Sequence, residues 1–139
     1  MKTLNITSKE VKETKYYYKE YIGEDVSDFE GNIEIEENLG CVRFSSIKAN
    51  GYIWAKEGSE IEAGEGIEAG SEIKAGRGIK AGWGITCKKE LTFRYKLFAG
   101  TCLWKTLTDA EKTITCGKLN PIDGAKVEYG IVKEIGIED

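Results

Sequence analysis

Residues 58–85, which read GSEIEAGEGIEAGSEIKAGRGIKAGWGI, decide the fold of this chain. A phrase of six residues, Ile-x-Ala-Gly-x-x, repeats through this stretch. Because glycine costs backbone entropy wherever it is ordered, a segment this rich in glycine is either disordered or turns tightly at a fixed interval. The whole chain has 139 residues, of which 40% are hydrophobic and 32% charged, and these values favour a globular domain over a disordered segment.

Aliphatic residues recur at every sixth position through the repeat. The series is Ile61, Ile67, Ile73, Ile79, Ile85, Leu91, Leu97 and Leu103. A spacing of six scatters residues around an α-helix, but it equals three periods of a β-strand. In the first four hexads an alanine follows two positions later on the same strand face, and the residue between the two faces the other way. Each hexad therefore predicts a strand of three or four residues, followed by a tight corner at the glycine.

Strands this short bury an apolar face only by stacking, which favours a β-solenoid. Ile33, Leu39, Ile47 and Ile53 extend the pattern upstream if two corners each carry two extra residues. We therefore predict a mainly β chain of one domain: a short-strand β-solenoid with three hexads per coil over residues 33–105, an N-terminal cap over residues 1–32 and a C-terminal cap over residues 106–139. Thr108 and the glutamate three residues later have the form of a capping box, so one or two short helices are expected in the caps.

Three hexads per coil fix which outward side chains stack on each face of the solenoid. The first face is expected to stack Glu34, Trp54, Lys74 and Thr92, the second Gly40, Glu62, Lys80 and Phe98, and the third Lys48, Glu68, Thr86 and Trp104. This register sets Glu62 beside Lys80 and Lys48 beside Glu68, which are both pairs of opposite charge. An antiparallel meander also fits the spacing, since two-residue turns with glycine are typical of hairpins, and low-complexity disorder is a further alternative.

The composition argues against enzyme activity. Histidine is absent, which removes the commonest general base and the usual ligand of catalytic zinc. The four cysteines show no C-x-x-C spacing, so we expect neither a metal site nor a cofactor. Cys41, Cys87 and Cys116 are expected in the core, and Cys102 falls in a corner. With no apolar run of 18 residues and no signal peptide pattern, we expect a cytoplasmic chain that does not associate with membranes.

Charge is divided unevenly along the repeat. Residues 24–72 carry thirteen acidic and three basic residues, whereas residues 73–105 carry eight basic residues and one acidic residue. Two alternative binding faces follow. The basic and aromatic face would consist of Lys74, Arg77, Lys80, Trp83, Lys88 and Lys89, and the acidic face of Glu57, Glu60, Glu62, Glu65, Glu68 and Glu72.

Two aromatic features are open to two interpretations each. Trp83 lies at a predicted corner, where it is exposed for binding unless a flanking segment packs over it. Tyr16, Tyr17 and Tyr18, which lie among lysines, would either stack on nucleic acid bases or form the surface of the N-terminal cap.

The hexads GIEAGSEIKAGRGIKAG resemble those of bacterial and phage β-solenoid proteins of the hexapeptide type. Left-handed hexapeptide acyltransferases are similar in spacing, but they rely on a catalytic histidine that this chain lacks. Bactofilin-like proteins are similar in their Gly-x-Ile-x-Ala phrases, and this resemblance implies polymerisation through the solenoid ends. Small phage and mobile-element proteins with Gly-Ile-Lys-Ala-Gly repeats are also similar, and some proteins of this size inhibit host defence, including anti-CRISPR proteins.

Two hypotheses of function remain. In the first, the chain is a non-enzymatic binding or inhibitor protein, such as an anti-CRISPR-like protein, that docks on a host protein or nucleoprotein complex through a charged face with aromatic residues. Direct binding of nucleic acid is less favoured. In the second, the chain is a bactofilin-like structural protein that polymerises end to end, and a homo-oligomer is compatible with both.

Overall fold

A computed structural model describes residues 2–137 of the chain, which form sixteen β-strands and two single-turn 3-10 helices, Ser8–Glu10 and Ala110–Lys112. The strands are β1 Thr3–Ile6, β2 Val11–Glu13, β3 Lys19–Tyr21, β4 Asn32–Ile35, β5 Gly40–Phe44, β6 Ile47–Ala49, β7 Ile53–Ala55, β8 Ser59–Ala63, β9 Ile67–Ala69, β10 Ile73–Ala75, β11 Ile79–Ala81, β12 Ile85–Cys87, β13 Glu90–Ala99, β14 Thr113–Cys116, β15 Lys118–Tyr129 and β16 Ile131–Glu134. No helix among these residues is long and apolar enough to cross a membrane.

The strands stack on three faces of a solenoid. Face 1 contains β1, β4, β7 and β10, face 2 contains β3, β5, β8 and β11, and face 3 contains β6, β9, β12, β14 and β16. The long strands β13 and β15 pair with each other and cross from face 1 to face 2. All pairing within the stack is parallel, and in the described part of the chain only β2 and β3 pair antiparallel. The predicted β-solenoid with three hexads per coil is therefore confirmed, and the antiparallel meander and the disordered chain are excluded.

The repeated isoleucines form the core. Ile61 stacks on Ile79 and Ile67 on Ile85, each one coil apart, and all four are at most 1% exposed. Burying an aliphatic side chain of this size contributes roughly 1.5–3 kcal/mol. These rows provide the stabilisation that offsets the entropy cost of ordering the glycine corners.

The predicted register of face 1 is confirmed in full. Trp54 lies between Glu34 and Lys74, and Lys74 is followed by Thr92. The ammonium groups of Lys56 and Lys74 lie 5.2 and 5.3 Å from the centre of the Trp54 ring, close enough for cation–π contacts.

On face 2 the predicted register is correct for Glu62, Lys80 and Phe98, but the predicted position of Gly40 is wrong. Arg43 stacks on Glu62, whereas Gly40 is in register with Ser59. The step from Ile33, in register with Ile53 on face 1, to Val42, in register with Ile61 on face 2, is nine residues rather than the predicted six. The chain uses the extra residues in a turn where Asn38 and Gly40 both have positive φ angles, of 60° and 73°.

On face 3 Lys48, Glu68 and Thr86 stack as predicted, but Trp104 does not follow them. Thr115 of β14 stacks on Thr86 instead, and Leu103, predicted in the core, is 96% exposed. The chain leaves the solenoid after Ala99, where Gly100 has a φ of 87°, and returns at β14. Because β14, β15 and β16 continue the parallel pairing, the stack is not confined to residues 33–105.

Corner glycines allow adjacent coils to approach closely. The amide of Gly76 donates to the Ala55 carbonyl one coil away at 2.8 Å. A Cβ atom at Gly76 would lie 2.5 Å from the Lys56 carbonyl oxygen, well inside van der Waals contact. Glycine is therefore required here by the spacing between coils, although its φ angle is ordinary.

Candidate functional site: an aromatic groove on face 2

The N-terminal segment lies across the outside of face 2. The short hairpin of β2 and β3 joins this face because β3 pairs in parallel with β5. The turn between the two strands is fixed by Thr14, whose hydroxyl donates to the Tyr18 carbonyl at 2.6 Å and accepts from the Tyr16 amide at 3.1 Å. The rings of Tyr16 and Tyr17 both pack against the ring of Tyr18, with centroids 5.7 and 5.3 Å apart. Tyr17 and Tyr18 are thereby held over outward side chains of β5, β8 and β11, with Tyr16 stacked on Tyr18.

Glu62 is a buried carboxylate at the base of this arrangement. It points outward from β8, yet only 5% of it is exposed. The Tyr17 hydroxyl donates to Glu62 Oε1 at 2.5 Å, Arg43 Nε lies 3.1 Å from Oε2, and Lys80 Nζ lies 3.7 Å from Oε1. A buried carboxylate is stable only when it is paired in this way. The predicted pair of Glu62 and Lys80 is confirmed.

Burial and the bond to Glu62 also change the acidity of Tyr17. Burial is the larger cause and the hydrogen bond to the carboxylate the second, and both raise the pKa of the Tyr17 hydroxyl above its ordinary value. The phenol therefore stays protonated at physiological pH and keeps donating to Glu62. This contact attaches the N-terminal segment to the solenoid.

Two adjoining cavities of about 310 and 290 Å³ run along this surface, which we name the aromatic groove. One wall is the tyrosine segment, and the opposite wall is the loop of residues 101–104. Leu103 and Trp104 on that loop are 96% and 64% exposed, and Tyr17 across from them is 68% exposed. The groove thus presents large apolar side chains beside the paired groups of Arg43, Glu62 and Lys80.

The structure does not bring the predicted basic residues together. Lys74 lies on face 1 and Lys80 on face 2, because residues six apart occupy successive faces of the solenoid. Arg77 and Trp83 occupy two further corners, and Lys88 and Lys89 a third. Of these six residues, Lys80 alone lines the aromatic groove.

Trp83 is covered by a flanking segment, which agrees with the second of the two interpretations of this residue. The ammonium group of Lys105 lies 4.7 Å from the centre of its ring. Its indole Nε1 is enclosed and has no hydrogen bond acceptor among residues 2–137. Trp83 therefore packs beneath the loop that follows Ala99 and offers little surface to a partner.

The predicted acidic residues are also distributed over the three faces. Glu62 and Glu65 line the aromatic groove, whereas Glu57 and Glu72 line a cavity on face 1. The other two are paired with basic side chains: Glu60 with Arg77 at 3.9 Å and Glu68 with Lys48 at 3.2 Å. No single acidic face results.

The cysteines follow the predicted pattern. Cys41, Cys87 and Cys116 are buried free thiols, and Cys102 is partly exposed at the edge of the groove. Among residues 2–137, no group of three or more acidic, cysteine or histidine side chains is placed to hold a metal ion.

Sequence reasoning missed Arg43 and the exposure of Leu103, whereas Trp104 was expected to face outward, but stacked on Thr86 of face 3. Arg43 was missed because the register of β5 is shifted. The exposure of Leu103 was missed because Leu103 fits the series of aliphatic residues spaced by six. The tyrosine cluster was recognised, but not its contact with Glu62, since that depends on pairing between segments far apart in the chain.

Compared with known protein families, curated proteins and solved structures, the chain shows no significant match.

Proposed function

We propose that this chain is a non-enzymatic binding protein that docks on a partner protein through the aromatic groove. The observation that carries this proposal is the exposure of Leu103 and Trp104 together with the exposed Tyr17 around one groove. Solitary exposed apolar residues are ordinary on a protein surface, but a group of large ones beside a concave site is typical of an interaction surface. Tryptophan and tyrosine are also the residues most enriched among those that dominate binding energy.

The charge of the groove favours a protein over nucleic acid. Proteins bind the phosphate backbone chiefly through an excess of lysine and arginine. Here Glu62 pairs with both Arg43 and Lys80, and Glu20 and Glu65 line the neighbouring cavity. If the partner is a nucleoprotein complex, we therefore expect contact with its protein component.

An inhibitor of a host complex, such as an anti-CRISPR-like protein of a phage or mobile element, is the biological role that we propose for this binding. A rigid solenoid that occupies a surface needed by the complex would inhibit it without any chemistry of its own. The absence of histidine from the sequence fits a role of this kind.

A pull-down from bacterial lysate, including nuclease complexes, tests the proposal with three forms of the chain. The wild type is compared with a groove variant, Leu103→Asp with Trp104→Ala, and with a control variant, Lys88→Glu with Lys89→Glu. All four residues are exposed or partly exposed on the surface, so the variants are expected to fold, which circular dichroism verifies.

We expect the wild type and the control variant to capture the same protein and the groove variant to lose it. Digestion of the lysate with nuclease should leave capture intact. Equal capture by the groove variant, or loss of capture by the lysine variant alone, would contradict docking through the groove.

A further inference from the structure

The two ends of the solenoid differ. At the N-terminal end β1 pairs only with β4 within residues 2–137, but the apolar side chains of the first coil are buried: Ile6 is 0%, Val26 4% and Phe29 5% exposed, and Phe29 bridges to Ala49 of face 3. At the C-terminal end, β15 has only β13 as a neighbour and β16 only β14 within residues 2–137, so their outer edges are unpaired there. This end also exposes apolar side chains, namely Tyr129, Ile131, Val132, Ile135 and Ile137.

We propose that the C-terminal end binds a second copy of this chain, end to end, in a closed dimer with twofold symmetry. Tyr129, Ile131, Val132, Ile135 and Ile137 are exposed at this end, whereas Ile6, Val26 and Phe29 at the other end are buried. The same surface must therefore serve on both copies, and such an isologous contact closes at two subunits. A filament would need a second, complementary end.

The charges along β15 are complementary to themselves. Lys126 and Val127 lie on face 2 in register with Lys96 and Leu97, and Glu128 follows at an irregularity of the pairing, after which Tyr129 is in register with Phe98. An antiparallel pairing of two β15 strands centred on Val127 sets Lys126 of each copy opposite Glu128 of the other. Within one chain Lys126 Nζ already lies 3.4 Å from Glu128 Oε1, so the two groups face the same side of the strand.

The same axis also brings complementary strand edges together on the other faces. A twofold axis through face 2 exchanges face 1 with face 3, so that β16 of one copy lies along the first half of β15 of the other, in the antiparallel direction. The apolar side chains of Val132 and Leu119 face the interior of the solenoid at its open end, since they are in register with the buried residues Ile114 and Leu91. Their contact would remove apolar area from water.

Pairing is limited to short segments by the shape of β15. Pro121 has no N–H to donate, Asp123 and Gly124 have φ angles of 51° and 78°, and the pairing with β13 is irregular after Arg94 and after Leu97. Natural sheets use such features to prevent unlimited addition of strands at an edge. We therefore expect a reversible dimer that depends on its side chains.

Sedimentation analysis from micromolar to millimolar concentration tests this proposal. We expect the wild type to pass from monomer to dimer and no further. Lys126→Glu should weaken the dimer about tenfold or more, because it sets like charges opposite each other twice. Lys126→Glu combined with Glu128→Lys should restore the dimer, since the exchanged charges again pair.

Lys12→Glu is the matched control, because this exposed lysine lies on β2 at the opposite end and undergoes the same change of charge. It should leave the dimer unchanged. A wild type that stays monomeric, a mass that grows beyond two chains, or a double variant as weak as Lys126→Glu would overturn the proposal. The groove variant of the pull-down should dimerise normally, so the two proposals can fail separately.

Discussion

Replacing Gly76 with alanine tests whether contacts between coils, rather than backbone flexibility, explain the glycine of each hexad. Gly76 has no positive φ angle, so alanine can adopt its backbone conformation. The added Cβ would, however, lie 2.5 Å from the Lys56 carbonyl oxygen and 2.6 Å from Glu57 Cα. Both are backbone atoms of the preceding coil and cannot rotate away, so the coils must separate by about 0.8 Å to reach ordinary contact.

The cost follows from what this separation disturbs. Overpacking in a tightly packed structure costs about 1–3 kcal/mol. Stretching the bond from the Gly76 amide to the Ala55 carbonyl, 2.8 Å long in the native structure, adds about 0.5–1.5 kcal/mol. We expect Gly76→Ala to lower the free energy of unfolding by about 2–4 kcal/mol in urea titrations followed by circular dichroism.

Gly66→Ala is the matched control. A Cβ atom at Gly66 would meet only the Gly84 carbonyl oxygen, at an ordinary distance of 3.5 Å. We expect this variant to be unchanged or more stable by about 0.4–1 kcal/mol, since alanine restricts the unfolded chain. Equal free energies of unfolding for the two variants would refute the explanation by coil contacts.

Two other properties can be measured directly. The hydrogen bond from Tyr52 holds the pKa of Glu34 below its ordinary value of 4.5, so the stability that this carboxylate contributes is complete above that pH and is lost as the pH falls through the lowered pKa. The difference in free energy of unfolding between wild type and Glu34→Gln should therefore shrink in urea titrations below pH 4.5, and a difference independent of pH would contradict it. Burial raises the pKa of Cys87 to about 12 and that of Cys116 to about 11, so a thiol reagent at pH 8 should modify the partly exposed Cys102 first and these two only after unfolding. Rapid modification of Cys87 in the native protein, detected by mass spectrometry, would be the contrary result.

Where corners have constant length, the sequence was sufficient to predict the fold. The spacing of six identifies a strand period, and equal corners then place every third hexad on the same face. For this reason the stacking of Glu62 on Lys80, and of Glu68 on Thr86, followed from counting alone.

The wrong register positions of Gly40 and Trp104 have one physical origin: the aliphatic residues do not encode the length of the corners between strands. Leu39 and Leu103 both fit the spacing of six, but Leu39 lies in a nine-residue step and Leu103 in an excursion from the solenoid. In both places residues with positive φ angles redirect the chain. A hydrophobic pattern shows which side chains are apolar, but it does not show where the backbone leaves the stack of strands.

The candidate site was harder to predict because its parts come from distant segments. Tyr17, Arg43 and Glu62 meet only because β3 joins the edge of face 2 beside β5. The charge pattern suggested whole faces of one sign, whereas stacking places opposite charges next to each other and neutralises them. The proposed binding therefore rests on exposed apolar residues around one groove, and not on a face of uniform charge.

Because a regular coil takes 18 residues, six for each face, the length of an insertion decides on which face the following strands lie. An insertion of 18 residues in the corner after Ala81 would add one complete coil and separate the two walls of the groove by only about 4.8 Å. An insertion of six residues would keep every strand, yet rotate everything after it by about 120° around the solenoid axis. The loop with Leu103 and Trp104 would then lie on another side of the molecule from Tyr17 and Glu62. A short insertion, which a sequence alignment would rate as minor, can thus abolish the groove while the fold survives. A longer insertion that completes a coil can keep both walls of the groove on one side of the molecule.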